Sequence, residues 1–159
     1  MIHLLIESGD ITEITGVNGN IDVDSLKPSI NIAQTTKVKR VLGASLYDKI
    51  VTDHENNALT GEYETMYNDY VVFMLAFYTV SIYLSLGVPK VANNGSYKVG
   101  VDGSTNLTLN ENAILGKNYE SVGLSYEMNL QEYLKTITIP EYTNSCDNKI
   151  SSNRLIQLY

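Results

Sequence analysis

The sequence predicts a mainly α fold, in which a helical bundle surrounds one long central helix and carries a protruding β-hairpin or loop and a short β-like N-terminal arm. Two patterns predict it. Residues 62–86 form an apolar, tyrosine-rich stretch between Gly61 and Gly87, and the part from residue 70 onward carries no charge. Residues 115–137 repeat apolar or aromatic side chains every three or four positions: Leu115, Tyr119, Val122, Tyr126, Leu130, Tyr133 and Ile137. A helix that is apolar on all sides must be covered, and a long amphipathic helix can cover it.

Length and charge limit the possible classes. The chain has 159 residues, which fits one domain over residues 1–140, with a hairpin insertion at 88–108 and a C-terminal tail at 141–159. The formal net charge is −7, from 18 acidic and 11 basic residues. Nonspecific nucleic-acid binding needs clustered Lys and Arg, so this balance argues against it.

The first half of the chain predicts an arm followed by two helices. Residues 1–23 alternate short apolar runs with turn residues and read as one or two short strands or an extended arm. Residues 18–24 resemble a calcium loop only faintly, because Val23 and Ser29 stand where such a loop needs Gly and Glu. Residues 25–42 follow a helical pattern that tolerates Pro28 in its first turn, and Gly43 separates them from a second helix over residues 44–54.

Lys37, Lys39 and Arg40 form the one basic cluster of the sequence. Two interpretations stay open for it. Cations at the end of a helix are stabilised by the helix dipole and then simply face solvent. Alternatively, the cluster is a docking patch for an acidic partner.

The second half predicts a hairpin, a long helix and a tail. Asn94 and Gly95 form a hairpin turn signal, and Tyr97 belongs to the alternating strand that follows. Residues 108–111 fit a capping box that opens the long helix, in which Gly116 and Gly123 indicate close backbone approach or a local break. Pro140 is expected to end this element. The polar tail closes on a small group of apolar residues: Leu155, Ile156, Leu158 and Tyr159.

Few residues suggest catalysis or metal binding. His3 and His54 are the only histidines and Cys146 is the only cysteine, and none falls in a metal-ligand or nucleophile motif. We therefore expect no enzyme, no cofactor and no metal. Residues 70–86 lie at the short edge of the length that spans a bilayer, but no cluster of Lys or Arg flanks them. A single membrane span is the less favoured alternative to a core helix.

The order of these elements resembles the head-tail connector family of tailed bacteriophages, in particular the adaptor or ring proteins of crAss-like and related Bacteroidetes phages. The likeness is carried by LG-x-x-LYD at residues 42–48 and by the Tyr-rich helix YNDYVVFMLAFYTVSIYL, and it covers about residues 17–142. These motifs are short and largely structural.

The resemblance implies a structural virion protein located in the neck and assembled in the host cytoplasm. Such adaptors form a homo-oligomeric ring, commonly a dodecamer, below the portal protein. The ring extends the DNA channel without binding DNA specifically and docks other neck and tail proteins. For this chain we expect intersubunit or portal contacts at Lys37, Lys39, Arg40, Asn94, Gly95 and Tyr97, and an anchor at Leu155, Ile156, Leu158 and Tyr159. A soluble acidic helical module that binds one protein partner is the main alternative.

Overall fold

The computed structural model describes residues 3–17, 23–86, 90–92, 95–97 and 109–143. The helices in chain order are α1 (Ser8–Thr15), α2 (Val23–Ala33), α3 (Lys39–Leu42), α4 (Ala44–Glu55), α5 (Gly61–Met66), α6 (Val72–Leu86), α7 (Leu109–Thr136) and α8 (Pro140–Thr143). Two π-helical segments, Gln34–Val38 and Tyr67–Val71, connect α2 to α3 and α5 to α6. The prediction of a mainly α helical bundle is therefore confirmed.

The bundle is built on two long helices. Helix α5, the second π-helical segment and α6 together form the central helix, Gly61–Leu86. Helix α7, with 28 residues, is longer than any other described helix and packs along α6. The prediction of one long central helix is wrong in this respect, because a π-helical turn interrupts it and an antiparallel partner shares the core with it.

The core lies between α6 and the helices around it. Met74, Leu75 and Ala76 of α6 are fully buried, as are Leu130 of α7 and Ile30 of α2. Helices α1 and α2 cover the side of α6 that α7 leaves open. Burial of these side chains is the main source of stability, at roughly 25 cal/mol per Å² of apolar surface.

The predicted pair of helices before residue 55 is confirmed. Gly43 separates α3 from α4 with φ 77° and ψ 167°, a backbone conformation that favours glycine. The elbow turns Leu46, Tyr47 and Ile50 of α4 into the core, as their spacing predicts.

The predicted β-like N-terminal arm is wrong, because residues 8–15 form α1. The Glu7 N–H donates to Asp10 Oδ2 at 3.0 Å, and Gly16 ends the helix in the left-handed conformation with φ 68°. Ile11 is 1% exposed against the bundle. Short apolar runs that alternate with turn residues suggested strands, but the caps and the burial of one face favour a helix.

Two three-residue strands follow the central helix. β1 (Lys90–Ala92) pairs antiparallel with β2 (Gly95–Tyr97), with Val91 opposite Ser96. The remainder of the predicted insertion lies outside the described residues, as does Thr108 of the predicted capping box. A protruding hairpin therefore stays a prediction.

Helix α7 packs closely on α6 at its two glycines. A Cβ atom at Gly123 would lie 3.2 Å from the Tyr78 ring, and one at Gly116 would lie 3.4 Å from Ser85 Oγ. The predicted close approach is confirmed. The predicted apolar face holds except at Val122, which is 39% exposed.

The end of α7 differs from the prediction. The helix ends at Thr136, and Pro140 opens α8, where its missing N–H costs nothing. Tyr63 donates a hydrogen bond to Glu141 Oε2 at 2.6 Å and ties α8 to the central helix. This bond raises the pKa of Tyr63 to about 12.

Candidate interaction surfaces

The basic cluster forms ion pairs within the chain. Lys37 Nζ lies 3.1 Å from Glu120 Oε1, and Lys39 Nζ lies 3.6 Å from Asp48 Oδ1. Both pairs are partly exposed, so each contributes little to stability. The two lysines remain accessible at the surface, and their role as partner contacts stays a prediction.

Arg40 belongs to a more buried network. Its guanidinium Nη2 donates to both carboxylate oxygens of Glu127, at 2.8 and 2.7 Å. The Glu127 side chain is only 4% exposed, although that of Arg40 is 57% exposed. Tyr78 donates to Glu127 Oε2 at 2.6 Å, and burial together with this bond raises the pKa of the Tyr78 hydroxyl. Arg40 therefore stabilises a buried carboxylate, a structural role that the sequence did not indicate.

Six aromatic rings form a ladder along the junction of the central helix and α7, which we call the aromatic seam. Tyr70 stacks on Tyr133 at 4.7 Å between ring centroids, and Phe73 stacks on Tyr126 at 5.3 Å. Phe77 contacts Tyr126 at 5.7 Å and Tyr119 at 6.1 Å. All six side chains are partly buried. The tyrosines are thus partly core residues, and the seam also presents ring surface to solvent beside Val122.

A second apolar surface lies on another side of α7. Leu124 is 48% exposed and Met128, one turn later, is 59% exposed, and we call these two residues the outer pair. Helical geometry places Leu124 about 160° around the axis from Val122. Large apolar side chains exposed in a cluster are typical of protein contacts. Helix α7 therefore carries two different apolar surfaces.

The other predicted contacts are described only in part. Gly95 and Tyr97 lie in β2. Asn94 and the terminal group of Leu155, Ile156, Leu158 and Tyr159 lie outside the described residues, as does Cys146.

An apolar cavity of about 200 Å³ lies between α1, α2, α6 and α7. Its walls include Ile11, Leu26, Val80, Leu84 and Leu115. Thr12, Tyr83 and Tyr119 also line it.

The two histidines meet, which their separation in sequence did not suggest. His3 Nε2 lies 2.6 Å from His54 Nδ1, and His54 Nε2 lies 2.9 Å from the Tyr67 hydroxyl. His3 also borders a groove of about 630 Å³ with Lys27 and Glu55 among its walls. Among the described residues, no group of three or more His, Cys, Asp or Glu side chains is arranged to hold a metal ion.

The central helix is long and apolar enough to cross a membrane. Its most apolar window has a mean hydropathy of 1.6, and 44% of that window is buried inside the protein. A core helix of a soluble protein meets the same criteria. Length and composition alone therefore leave both interpretations open.

Together these features define a mainly helical domain with partly exposed aromatic and apolar surfaces along α7. Residues 38–152 match Family of unknown function (DUF6712), so the chain belongs to that family. No curated protein and no solved structure matches the chain significantly.

Proposed function

We propose that this protein is a head-tail connector adaptor of a tailed bacteriophage, which forms a ring below the portal, extends the DNA channel and docks tail components. The observation that carries the proposal is the pair of apolar surfaces on α7. A closed ring uses head-to-tail contacts, and such contacts need two different surfaces on each subunit. The sequence resemblance to phage adaptors supports the same function.

The aromatic seam and the outer pair can serve as the two contact surfaces of each subunit. Aromatic residues and methionine are enriched at the centres of protein interfaces. The seam of one subunit would contact Leu124 and Met128 of the next, and the rotation between subunits would close the ring. The partly exposed Lys37 and Lys39, the hairpin residues Asn94, Gly95 and Tyr97, and Arg40 at its exposed edge would then contact the portal or a neighbouring subunit.

The acidic composition supports a place along a DNA channel. With a net charge of −7 per chain, a ring of many copies repels the phosphate backbone. A repulsive wall lets the duplex slide, whereas a basic wall would retain it.

Substituting the outer pair tests the ring contact. We expect the wild-type protein mixed with the portal of the same virus to assemble into rings, and Leu124→Glu/Met128→Glu to abolish assembly, because two buried charges would face an apolar surface. Native mass spectrometry and negative-stain imaging measure the oligomer. Ser125→Glu adds a charge at an exposed position between the two and is the matched control.

Two results would contradict the proposal. A wild-type protein that stays monomeric and does not bind the portal would exclude the connector function. It would favour the alternative, an acidic helical module that binds one protein partner. Rings that form equally well with the double substitution would exclude the outer pair as a contact. Circular dichroism of each variant checks that helix content is retained.

The C-terminal tail is proposed as an anchor into a neighbouring ring. Replacing Leu155, Ile156 and Leu158 with serine should weaken docking on the order of a hundredfold or more, because burial of each of the three apolar side chains contributes about 1 kcal/mol or more. Replacing Ser151, Ser152 and Asn153 with alanine is the control, and surface plasmon resonance on immobilised portal rings measures both. Equal affinity of the two variants would exclude the tail.

A single-span membrane protein remains the less favoured alternative. Insertion of the central helix into a bilayer would require α7 to separate from α6. Tyr78 would then lose Glu127, and the stacked rings of the aromatic seam would lose their partners. Recovery of the protein in the membrane fraction, with release only by detergent, would favour this alternative over the connector.

A further inference from the structure

The first described residues are held to the bundle by side chains rather than by regular backbone pairing. We call residues 3–6 the N-terminal segment. Gln34 is fully buried, and its amide accepts from the Leu5 N–H at 3.0 Å and donates to the His3 carbonyl at 2.8 Å. Tyr67 donates to the Leu5 carbonyl. These bonds seat Leu5 and Ile6 in the core, where they are 0% and 3% exposed.

The direction of the bonds fixes where the protons lie. Because the Tyr67 hydroxyl donates to Leu5, its oxygen accepts from His54 Nε2–H. A neutral His54 protonated at Nε2 has a lone pair at Nδ1, and this atom accepts from His3 Nε2–H at 2.6 Å. Burial raises the pKa of Tyr67 to about 12, so its hydroxyl keeps the proton that this chain of bonds requires.

We propose that the His3–His54 pair is a proton-operated latch, which holds the N-terminal segment while at least one of the two rings is neutral and releases it when both bind a proton. Protonation of His54 places a hydrogen on Nδ1, and the bond to His3 then persists only while a neutral His3 offers a lone pair at Nε2. When His3 is also charged, two N–H donors face each other and the two imidazolium groups repel, so the bond is lost. The nearby groove gives His3 a path to solvent.

The groups around the pair have opposing effects on the pKa of His54. Burial lowers the pKa of His54, and the neighbouring His3 lowers it further, whereas Asp10 on α1 raises it. Among the described residues, Tyr67 on the central helix bonds to His54, and Glu55 on α4 together with Asp24 and Lys27 on α2 lines the groove beside His3.

The sign of the pH dependence follows from this pKa. Since the folded pKa of His54 lies below its unfolded value of about 6.5, the unfolded chain binds more protons between the two values. The stability that neutral His54 contributes is present above about pH 6.5 and is lost as the pH falls toward the folded pKa. We expect the segment to loosen over this acidic range.

Amide hydrogen exchange measured by NMR tests the latch. The Leu5 N–H reports on the segment, and the Tyr47 N–H, bonded to the Gly43 carbonyl at 3.1 Å, reports on the rest of the fold. After correction for intrinsic rates, protection of Leu5 should fall on the order of tenfold between about pH 8 and about pH 5, whereas that of Tyr47 should change much less.

The variant His3→Gln is the matched control. A glutamine amide can donate to neutral His54 and can accept from protonated His54, so this variant should hold the segment at both pH values. Constant Leu5 protection in the wild type would overturn the proposal. An equal loss of protection in His3→Gln would also overturn it, because the histidine pair would then not be the cause.

Discussion

Replacing Arg40 with alanine is expected to lower the free energy of unfolding by about 3 kcal/mol, because it leaves the buried Glu127 carboxylate without its cation. The matched control is Lys39→Ala, which removes an exposed contact to Asp48 at 3.6 Å and should cost less than about 1 kcal/mol. Urea unfolding followed by far-ultraviolet circular dichroism measures both.

A double-mutant cycle separates the charge from the packing of the arginine stem. In the Arg40→Ala background, Glu127→Gln should recover part of the lost stability, because a neutral amide is less costly to bury and its oxygen still accepts from Tyr78. Equal costs for Arg40→Ala and Lys39→Ala would show that Glu127 does not depend on its arginine. The partner role proposed for Arg40 is then best tested in variants that keep this bond.

Replacing Gly123 with leucine is expected to cost about 2 to 3 kcal/mol, because the side chain would overlap the Tyr78 ring and force α7 away from α6. Gly123→Ala should be close to neutral. Alanine has a helix propensity about 1 kcal/mol more favourable than that of glycine, and the close approach of its Cβ to the Tyr78 ring at 3.2 Å offsets that gain.

Asn118→Leu is the control for the leucine substitution. Asn118 lies on the exposed side of the same helix, so the change should stay within about 0.5 kcal/mol. Thermal and urea unfolding of the three variants measure the difference. A Gly123→Leu protein as stable as Asn118→Leu would show that the two helices can separate at this point without loss.

Local signals predicted the elements whose reasons are local. Gly43 marks an elbow because its backbone conformation favours glycine, and the repeat in α7 marks a helix because one face must be buried. The two glycines of α7 indicated close packing because a glycine has no side chain to keep a neighbouring helix away. In each case the structure of the element follows from residues within that element.

The sequence predicted α1 wrongly because local preference and burial disagree there. Isoleucine and threonine favour strands. The hydroxyls of Thr12 and Thr15, however, donate hydrogen bonds to the carbonyls of Ser8 and Ile11, and both residues therefore fit a helix. Burial of Ile11 then decides the outcome. A single sequence offers no measure of that burial.

The polar networks could not be found from sequence because their members are far apart in the chain. His3 and His54 are separated by 51 positions, and Arg40 and Glu127 by 87. Glu127 also occupies a position that looks like an ordinary surface carboxylate in a helix. The signal in the sequence for the burial of Glu127 was its position next to Tyr126 and one turn before Gln131, on the side of α7 that faces the core.

The two π-helical segments make the grip on the N-terminal segment sensitive to chain length. Each wide turn contains about one residue more than an α-helical turn. Deletion of one residue within such a segment would let the turn close to regular α geometry, and because only the extra residue is lost, the helices on either side would stay in phase. Gln34 lies in the first segment and Tyr67 in the second, so a deletion at either place would change the backbone position from which that side chain reaches His3 or Leu5.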